Sequence, residues 1–398
     1  MIDDSSLVVD QLDETEDPAP AAAQGIADAD IEERYLGSSF RVLYQTNNYF
    51  LTQIEDLIDK SKIINLRPEY QRRLRWTPQQ KSLLIESLLL NVPIPPVFLY
   101  ENDLARYEVM DGQQRLNAIY EYMRNDFALT GMENLKFLQR KRYNDLPPKL
   151  KRGLQRASVS AIVLLHESKG PGDDPSLVRR YVFQRLNTGG KALNAQEIRN
   201  SLYSGSFNDL IIDLSRNEVF CLSFGIPAYT EAQGDDPYEN PARKANQLYK
   251  TMGDCTLVLR FFAFKEDEHI RGSVRSMLDQ TMERNSTVTA EQLELMRAMF
   301  VNTINTVNAV FPGQPFTLPL DELGRRKSSV ALYDAVMVAF YRRADHSARL
   351  IEHAQAIRDA VDQVSIAQPE LMTGRANTAQ SIKDRIAALI AAIDLVIQ

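Results

Sequence analysis

Residues 107–117 read Tyr107-Glu108-Val109-Met110-Asp111-Gly112-Gln113-Gln114-Arg115-Leu116-Asn117, and the fold is read outward from this run. A strand-like segment, Tyr107–Met110, stops at an acid and a glycine. An amphipathic pattern follows at once, with Leu116, Ile119, Tyr120 and Met123 at helical spacing. The turn therefore delivers a carboxylate, two amides and a guanidinium to a helix N-terminus, where free backbone N–H groups and the helix dipole favour an anion. Phosphate is the usual anion for such a place. A bland reading fits the same residues: Asp111 as an N-cap, Gln114 completing a capping box, Gly112 serving only the turn, and Arg115 solvated.

Polar clusters on either side favour a site. Upstream, Leu66–Trp76 holds Arg67, Arg72, Arg73 and Arg75 with Tyr70 and the chain's only tryptophan. Arginines interleaved with aromatics suit phosphate or stacked bases, although a solvated basic loop has the same composition. Thr77-Pro78-Gln79-Gln80 then starts a helix: threonine at the N-cap, proline at N1, glutamine at N3. That helix carries Leu84, Ile85, Leu88 and Leu89 on a broad apolar face, ends at Asn91–Pro96, and precedes a strand at Val97–Tyr100.

The succession Tyr70-Gln71-Arg72, Trp76, Leu84-Ile85-Glu86-Ser87, Asn91-Val92-Pro93-Ile94-Pro95-Pro96 and Asp111-Gly112-Gln113-Gln114-Arg115 resembles the N-terminal domain of GmrSD-type modification-dependent restriction enzymes. The similarity continues through Phe183-Gln184-Arg185-Leu186-Asn187-Thr188-Gly189-Gly190-Lys191 and Gln196-Glu197-Ile198-Arg199-Asn200, covering about residues 45–215. The resemblance implies an α+β fold of the ParB/sulfiredoxin-like kind, a small mixed sheet with helices, followed by a mostly α-helical domain. It further implies binding and hydrolysis of a nucleoside triphosphate with Mg²⁺, in defence against phage. Asp111, Gln113, Gln114 and Arg115 would then be catalytic; because a carboxylate beside phosphates is repulsive without a divalent cation or a proton to move, Asp111 would hold Mg²⁺ or orient the attacking water. Tyr70, Gln71, Arg72, Gly112, Arg115, Arg185, Asn187, Thr188 and Gly189 would bind the nucleotide. The double glycine after Asn187 has a plainer reading too, as a helix–helix connection.

The net charge of −7 conceals an asymmetry: residues 1–34 hold eleven acids and one base, net −10, leaving +3 for the rest. Residues 1–40 read as a disordered acidic tail, either merely solubilising or masking basic surface from DNA. Lys136–Arg156 has eight Lys/Arg against one Asp. A solvated helical face explains such runs, and phosphate contact competes with it. Arg73, Arg75, Arg140, Lys141 and Arg142 are the candidate DNA contacts. Cys221 and Cys255 read as buried thiols, and the four histidines show no i, i+4 metal pair. No stretch approaches the ~20 apolar residues of a membrane span, and the N-terminus lacks a signal-peptide pattern, so the expected compartment is the cytoplasm.

Beyond the β-branched strand Val159–Leu165, the expected division is 41–220 for the nucleotide domain and 221–398 for the helical one, with a polar break at 225–243 as seam or lid. Main helices are expected over Leu248–Phe264, Ala290–Phe311, Val330–Arg343 and Thr378–Ile397, with Ala388–Ile397 buried on most sides. Arg260 with Asp254 resembles a further family motif, and Arg325-Arg326-Lys327 would line the pocket. No Walker-type loop occurs, which excludes an ordinary P-loop ATPase. GmrSD-type fused enzymes carry an HNH nuclease after this module, yet no comparable His/Asn cluster follows residue 215. The reading is a nucleotide-dependent sensor or regulatory subunit whose DNA cleavage comes from a separate nuclease partner. Homo-oligomerisation stays open. The rivals are a ParB-like DNA-binding protein using nucleotide as a slow switch, and a nuclease in its own right.

Overall fold

The structure is a computed structural model that describes residues 8–9, 11–12, 41–66, 76–169, 175–186, 194–203, 205–228, 241–313, 315–320, 324, 326–373 and 377–398. The chain divides into two compact units, Ala22–Leu193 and Asn194–Gln398 with Met1–Ala21. The division falls at Leu193/Asn194 instead of the expected 220/221, because Asn194 already belongs to the helical unit as the N-cap of its first helix.

The first unit is α+β. Its strands are β1 (Tyr44–Phe50), β2 (Ile64–Asn65), β3 (Val97–Asp103), β4 (Arg106–Asp111) and β5 (Ser158–Leu164), in the order β1-β5-β3-β4-β2. The sheet is mixed: β1–β5 and β3–β4 are antiparallel, β3–β5 and β2–β4 parallel. Helices α1 (Leu51–Glu55), α2 (Pro78–Leu89), α3 (Gln113–Met123) and α4 (Pro148–Arg156) lie between the strands, and α5 (Pro175–Leu186) follows β5. Val97, Leu99, Val109, Val159, Ala161 and Val163 share one core with Leu84, Ile85, Leu88, Leu116, Ile119 and Tyr122. Alternate strand residues thus meet the apolar stripes of α2 and α3. Each buried Leu or Ile in that layer contributes about 1.5–3 kcal/mol.

Two N-termini behave as the sequence indicates. Thr77 Oγ1 accepts from Gln80 N–H at 3.3 Å while Gln80 Oε1 takes the Thr77 N–H at 2.9 Å. Asn194 and Glu197 form the equivalent box on α6 (Ala195–Leu202). Glu86 has a role its sequence context conceals. It is buried on α2, and its carboxylate accepts N–H groups of Leu135, Asn134 and Glu133 at 2.5, 2.8 and 3.2 Å. Burial pushes its pKa up, but these three donors outweigh it and hold the carboxyl below its ordinary value.

The helical unit is built around α7 (Gly253–Phe264) and α10 (Val330–Tyr341), with α8 (Val274–Arg284), α9 (Ala290–Val310), α11 (Ala354–Ala367) and α12 (Ala379–Ile397). Every residue of α7 is buried, as are Val330–Phe340 of α10, so both are central helices, apolar all round. The single helix expected over Leu248–Phe264 is instead broken at Met252, which has φ +57°. Asn194 Nδ2 takes the Thr251 carbonyl at 2.8 Å, and the Cys255 N–H turns to Asp254 Oδ1 at 2.9 Å. Two groups of the helical ladder are thereby satisfied elsewhere. On α12, Leu389, Ile393 and Ile397 are buried but Leu395 is exposed, so only one face packs.

The acidic N-terminus is not wholly a free tail. Val8 is buried, Gln11 Nε2 donates to Ser328 O at 3.1 Å, and Gln11 Oε1 accepts from Val330 N at 2.8 Å. Gln11 thereby satisfies one donor at the start of α10. Of residues 1–40 only these few are described; the 225–243 break lies mostly outside the described residues as well.

Candidate functional site

The turn between β4 and α3 begins with Asp111, the last residue of β4, opposite Phe98 in the β3–β4 ladder. Asp111 does not cap α3. The N-cap is Gly112, in the left-handed region at φ +93°, and no side chain caps the helix. Glycine is required there twice over. A Cβ at that φ is strained, and it would lie 2.6 Å from Val97 Cγ1 and 2.9 Å from Arg115 Nη2. The absent side chain leaves the space in which the Arg115 guanidinium folds back over the turn.

There Arg115 Nη2 donates to Asp111 Oδ2 at 2.7 Å and to the Pro96 carbonyl at 3.3 Å. The Arg115 side chain is 14% exposed and that of Asp111 36%. Arg115 Nε is buried without a hydrogen-bond partner among the described residues, an unusual state for a guanidinium N–H. The Asp111 oxygen facing away from Arg115 accepts no hydrogen bond from a described residue. The bland reading, with Asp111 capping and Arg115 solvated, is therefore replaced by a half-open ion pair at an uncapped helix N-terminus.

The two glutamines face a different task. Gln113 Nε2 donates to Leu66 O at 2.7 Å, and Gln114 Oε1 accepts from Trp76 N at 3.1 Å. The glutamines thereby fasten Leu66 and Trp76 to the start of α3. Each amide thus holds a backbone group of another segment beside the turn. Local spacing gives no sign of it, because the partners lie 47 and 38 residues away.

Residues 54–204 match the family described as GmrSD restriction endonuclease, N-terminal domain. The chain carries a GmrSD-type N-terminal domain. The match relates it to restriction systems. No curated protein and no solved structure matches the chain in the same comparisons. The GmrSD-type segment takes in the β3–β4 hairpin, the Asp111–Arg115 turn and α6.

The remaining site candidates in this domain fall into three groups. Tyr70, Gln71, Arg72, Arg73, Arg75, Asn187, Thr188 and Gly189 lie outside the described residues. Arg185 is exposed on the last turn of α5, its guanidinium 4.5 Å from the Tyr181 ring centre. Arg140, Lys141 and Arg142 are exposed, and none of the eight cations of 136–156 enters an ion pair with a described residue. Phe137, in the same run, is 73% exposed.

The motif at 196–200 proves to be core of the helical unit. Arg199 Nε bonds Asp279 Oδ1 at 2.7 Å, and Gln196 Nε2 bonds Asn200 Oδ1 at 3.0 Å. Arg260 likewise is buried against Asp334 on α10, with its Nε 2.9 Å from Oδ1, and is not paired to Asp254. Arg326 reaches Thr317 Oγ1 at 3.5 Å, while Arg325 lies outside the described residues. Cys221 and Cys255 are buried, as expected, and each Sγ lies within hydrogen-bond reach of Ser215. No helix among the described residues is long and apolar enough to cross a membrane.

Proposed function

We propose that the GmrSD-type domain binds and hydrolyses a nucleoside triphosphate at the Asp111–Arg115 turn, and that the chain acts as the nucleotide-dependent regulatory subunit of a restriction system. The observation that carries this reading is Arg115 itself: a guanidinium held at an uncapped helix N-terminus, with one N–H buried and unpartnered. A phosphate there would meet that N–H, the first-turn amides of α3 and the positive end of the helix dipole together. The domain's relation to restriction enzymes supports the same assignment.

The donor set at the turn fits Mg²⁺. One partly exposed carboxylate, with an oxygen that accepts no hydrogen bond from a described residue, is what this ion uses when phosphates and water supply its other positions. Asp111 would hold it; bound there, Mg²⁺ would neutralise phosphate charge and favour attack by water. Asp111 also fixes the guanidinium of Arg115, so phosphate entry would redistribute one ion pair and leave no charge unmatched. Gln113 and Gln114 hold Leu66 and Trp76 beside the turn. The unpaired cations of 136–156 supply a surface for DNA phosphates, with cleavage left to a separate nuclease subunit.

The test is phosphate release by the purified chain, with each NTP, with and without DNA. Arg115→Ala is expected to weaken nucleotide binding at least about tenfold. Asp111→Asn should retain binding and lose hydrolysis. Hydrolysis by Asp111→Asn at the wild-type rate would reduce Asp111 to a partner of Arg115. DNA cleavage by the chain alone, abolished in Asp111→Asn, would replace the regulatory reading with a nuclease.

A further inference from the structure

We infer that Glu101, His166 and Glu167 form a second site on the sheet unit, one that binds a divalent transition-metal ion of the zinc or manganese class. β3 and β5 run parallel with Tyr100 paired to Leu164. The next residue of β3 therefore lies beside the turn in which β5 ends, although 65 positions separate Glu101 from His166. One ligand atom from each of the three residues falls within 4.8 Å of the others. His166 Nδ1 is 3.3 Å from Glu167 Oε2 and 3.7 Å from Glu101 Oε2. The second distance is too long for a hydrogen bond. Both are close to the roughly 3.3 Å edge of a tetrahedron built on metal–ligand bonds of about 2.0–2.1 Å.

Glu101 is the group that calls for an occupant. It lies on the same face of β3 as Val97 and Leu99, and its side chain is 91% buried (9% exposed). Oε1 accepts the Ala105 N–H at 3.0 Å, which fixes the carboxylate. Oε2, aimed at His166, accepts no hydrogen bond from a described residue. A cation there would add a partner at Oε2 to a carboxylate that the Ala105 N–H already holds in place at Oε1.

The other half of the site is held just as firmly. Leu165 N donates to Leu43 O at 2.9 Å, Ser168 N to Leu165 O at 3.1 Å, and Ser168 Oγ to Leu43 O at 3.0 Å. The His166–Glu167 turn is thereby fastened to the start of β1 while its two side chains stay half-exposed, open to an entering ion.

The donors select the ion class. Two carboxylates and a neutral imidazole carry two negative charges, matching a divalent cation. A nitrogen donor among oxygens suits zinc or manganese better than calcium or magnesium, and the absence of thiolate disfavours copper(I). Three protein ligands leave a position for water or a further ligand. The site is separate from the nucleotide turn: Asp111 pairs with Phe98, three residues or about 10 Å along β3 from Glu101.

Metal-stripped, tag-free full-length protein titrated with Co²⁺ should develop a saturable d–d absorption at one equivalent, displaced by Zn²⁺. His166→Ala and Glu167→Gln, both at half-exposed positions, should each weaken binding more than about tenfold while the circular dichroism spectrum stays unchanged. Absence of one-equivalent binding in the wild type would overturn the site. So would wild-type affinity in both variants.

Discussion

Two arginine–aspartate arrangements in this chain use the same chemistry and reach opposite ends. In the helical unit, Arg260 and Arg385 converge on Asp334: Arg260 Nε lies 2.9 Å from Oδ1 and Arg385 Nη1 3.7 Å from Oδ2, with all three side chains at most 1% exposed. Burial pushes Arg385 down to about 10 despite the neighbouring carboxylate. In the sheet unit, Arg115 and Asp111 meet at 2.7 Å with the carboxylate one-third exposed. No solute reaches the first set, so its charges can only organise packing. The second keeps an oxygen and a buried N–H uncommitted, and can exchange partners. Desolvation, and not the residue pair, separates framework from site.

The comparison breaks first at Asp334. Asp334→Asn removes the carboxylate charge that the buried Arg260 guanidinium bonds directly and should destabilise the helical unit by about 3–5 kcal/mol in urea melts. A loss below about 1 kcal/mol would mean the cluster is hydrated or relaxes freely, and the contrast with Arg115 would fail.

Glu86 should give the next largest effect. Glu86→Gln keeps the shape and removes the charge that three backbone N–H groups share, an expected loss of about 2 kcal/mol at pH 7. The sign with pH follows from its lowered pKa. The contribution is fully present above the unfolded carboxyl value, about 4.3, and disappears as pH falls through the lower folded value. Wild type and Glu86→Gln should therefore converge in stability on acidification below pH ~4. A gap that persists at low pH would assign the loss to packing.

Removing residues 1–12 should come third. The sequence reads the acidic tail as either merely solubilising or masking basic surface from DNA, and only the second reading has its deletion strengthen DNA binding. The buried Val8 and the two bonds of Gln11 indicate a cost of about 1–2 kcal/mol to the helical unit, after ordering entropy. Unchanged denaturation together with tighter DNA binding would restore the tail reading.

What could be read beforehand was local. The Thr77–Gln80 and Asn194–Glu197 boxes, the strands at 97, 107 and 159, and the glycine turn at 112 all rest on neighbours within four residues. The rest depends on pairing across long separations. β1 and β2 carry no strong strand pattern and exist because β5 and β4 complete them. The partners of Gln113, Gln114 and Glu86 lie 38 to 49 residues away. Glu101, His166 and Glu167 have no motif spacing at all; only the parallel β3–β5 register brings them together. The turn at 111–115 was legible as a place, but the work done by each of its side chains was not.

Arg115 should show the smallest effect on the empty protein, which is what makes it decisive. Its pair with Asp111 is partly solvated, and pairs of this kind contribute about 0–1 kcal/mol. Loss of its bond to Pro96 O adds little, since that carbonyl can take water. Arg115→Ala should therefore melt within a few degrees of wild type while its nucleotide titration, followed by calorimetry with Mg²⁺ present, flattens. Arg115→Lys discriminates further. A point charge can approach a phosphate but cannot bond phosphate and Asp111 together through a planar fork, so the lysine variant should recover only part of the affinity. A large loss of stability in Arg115→Ala with nucleotide affinity intact would place Arg115 beside Arg260 as framework, and the difference between the two regions would vanish.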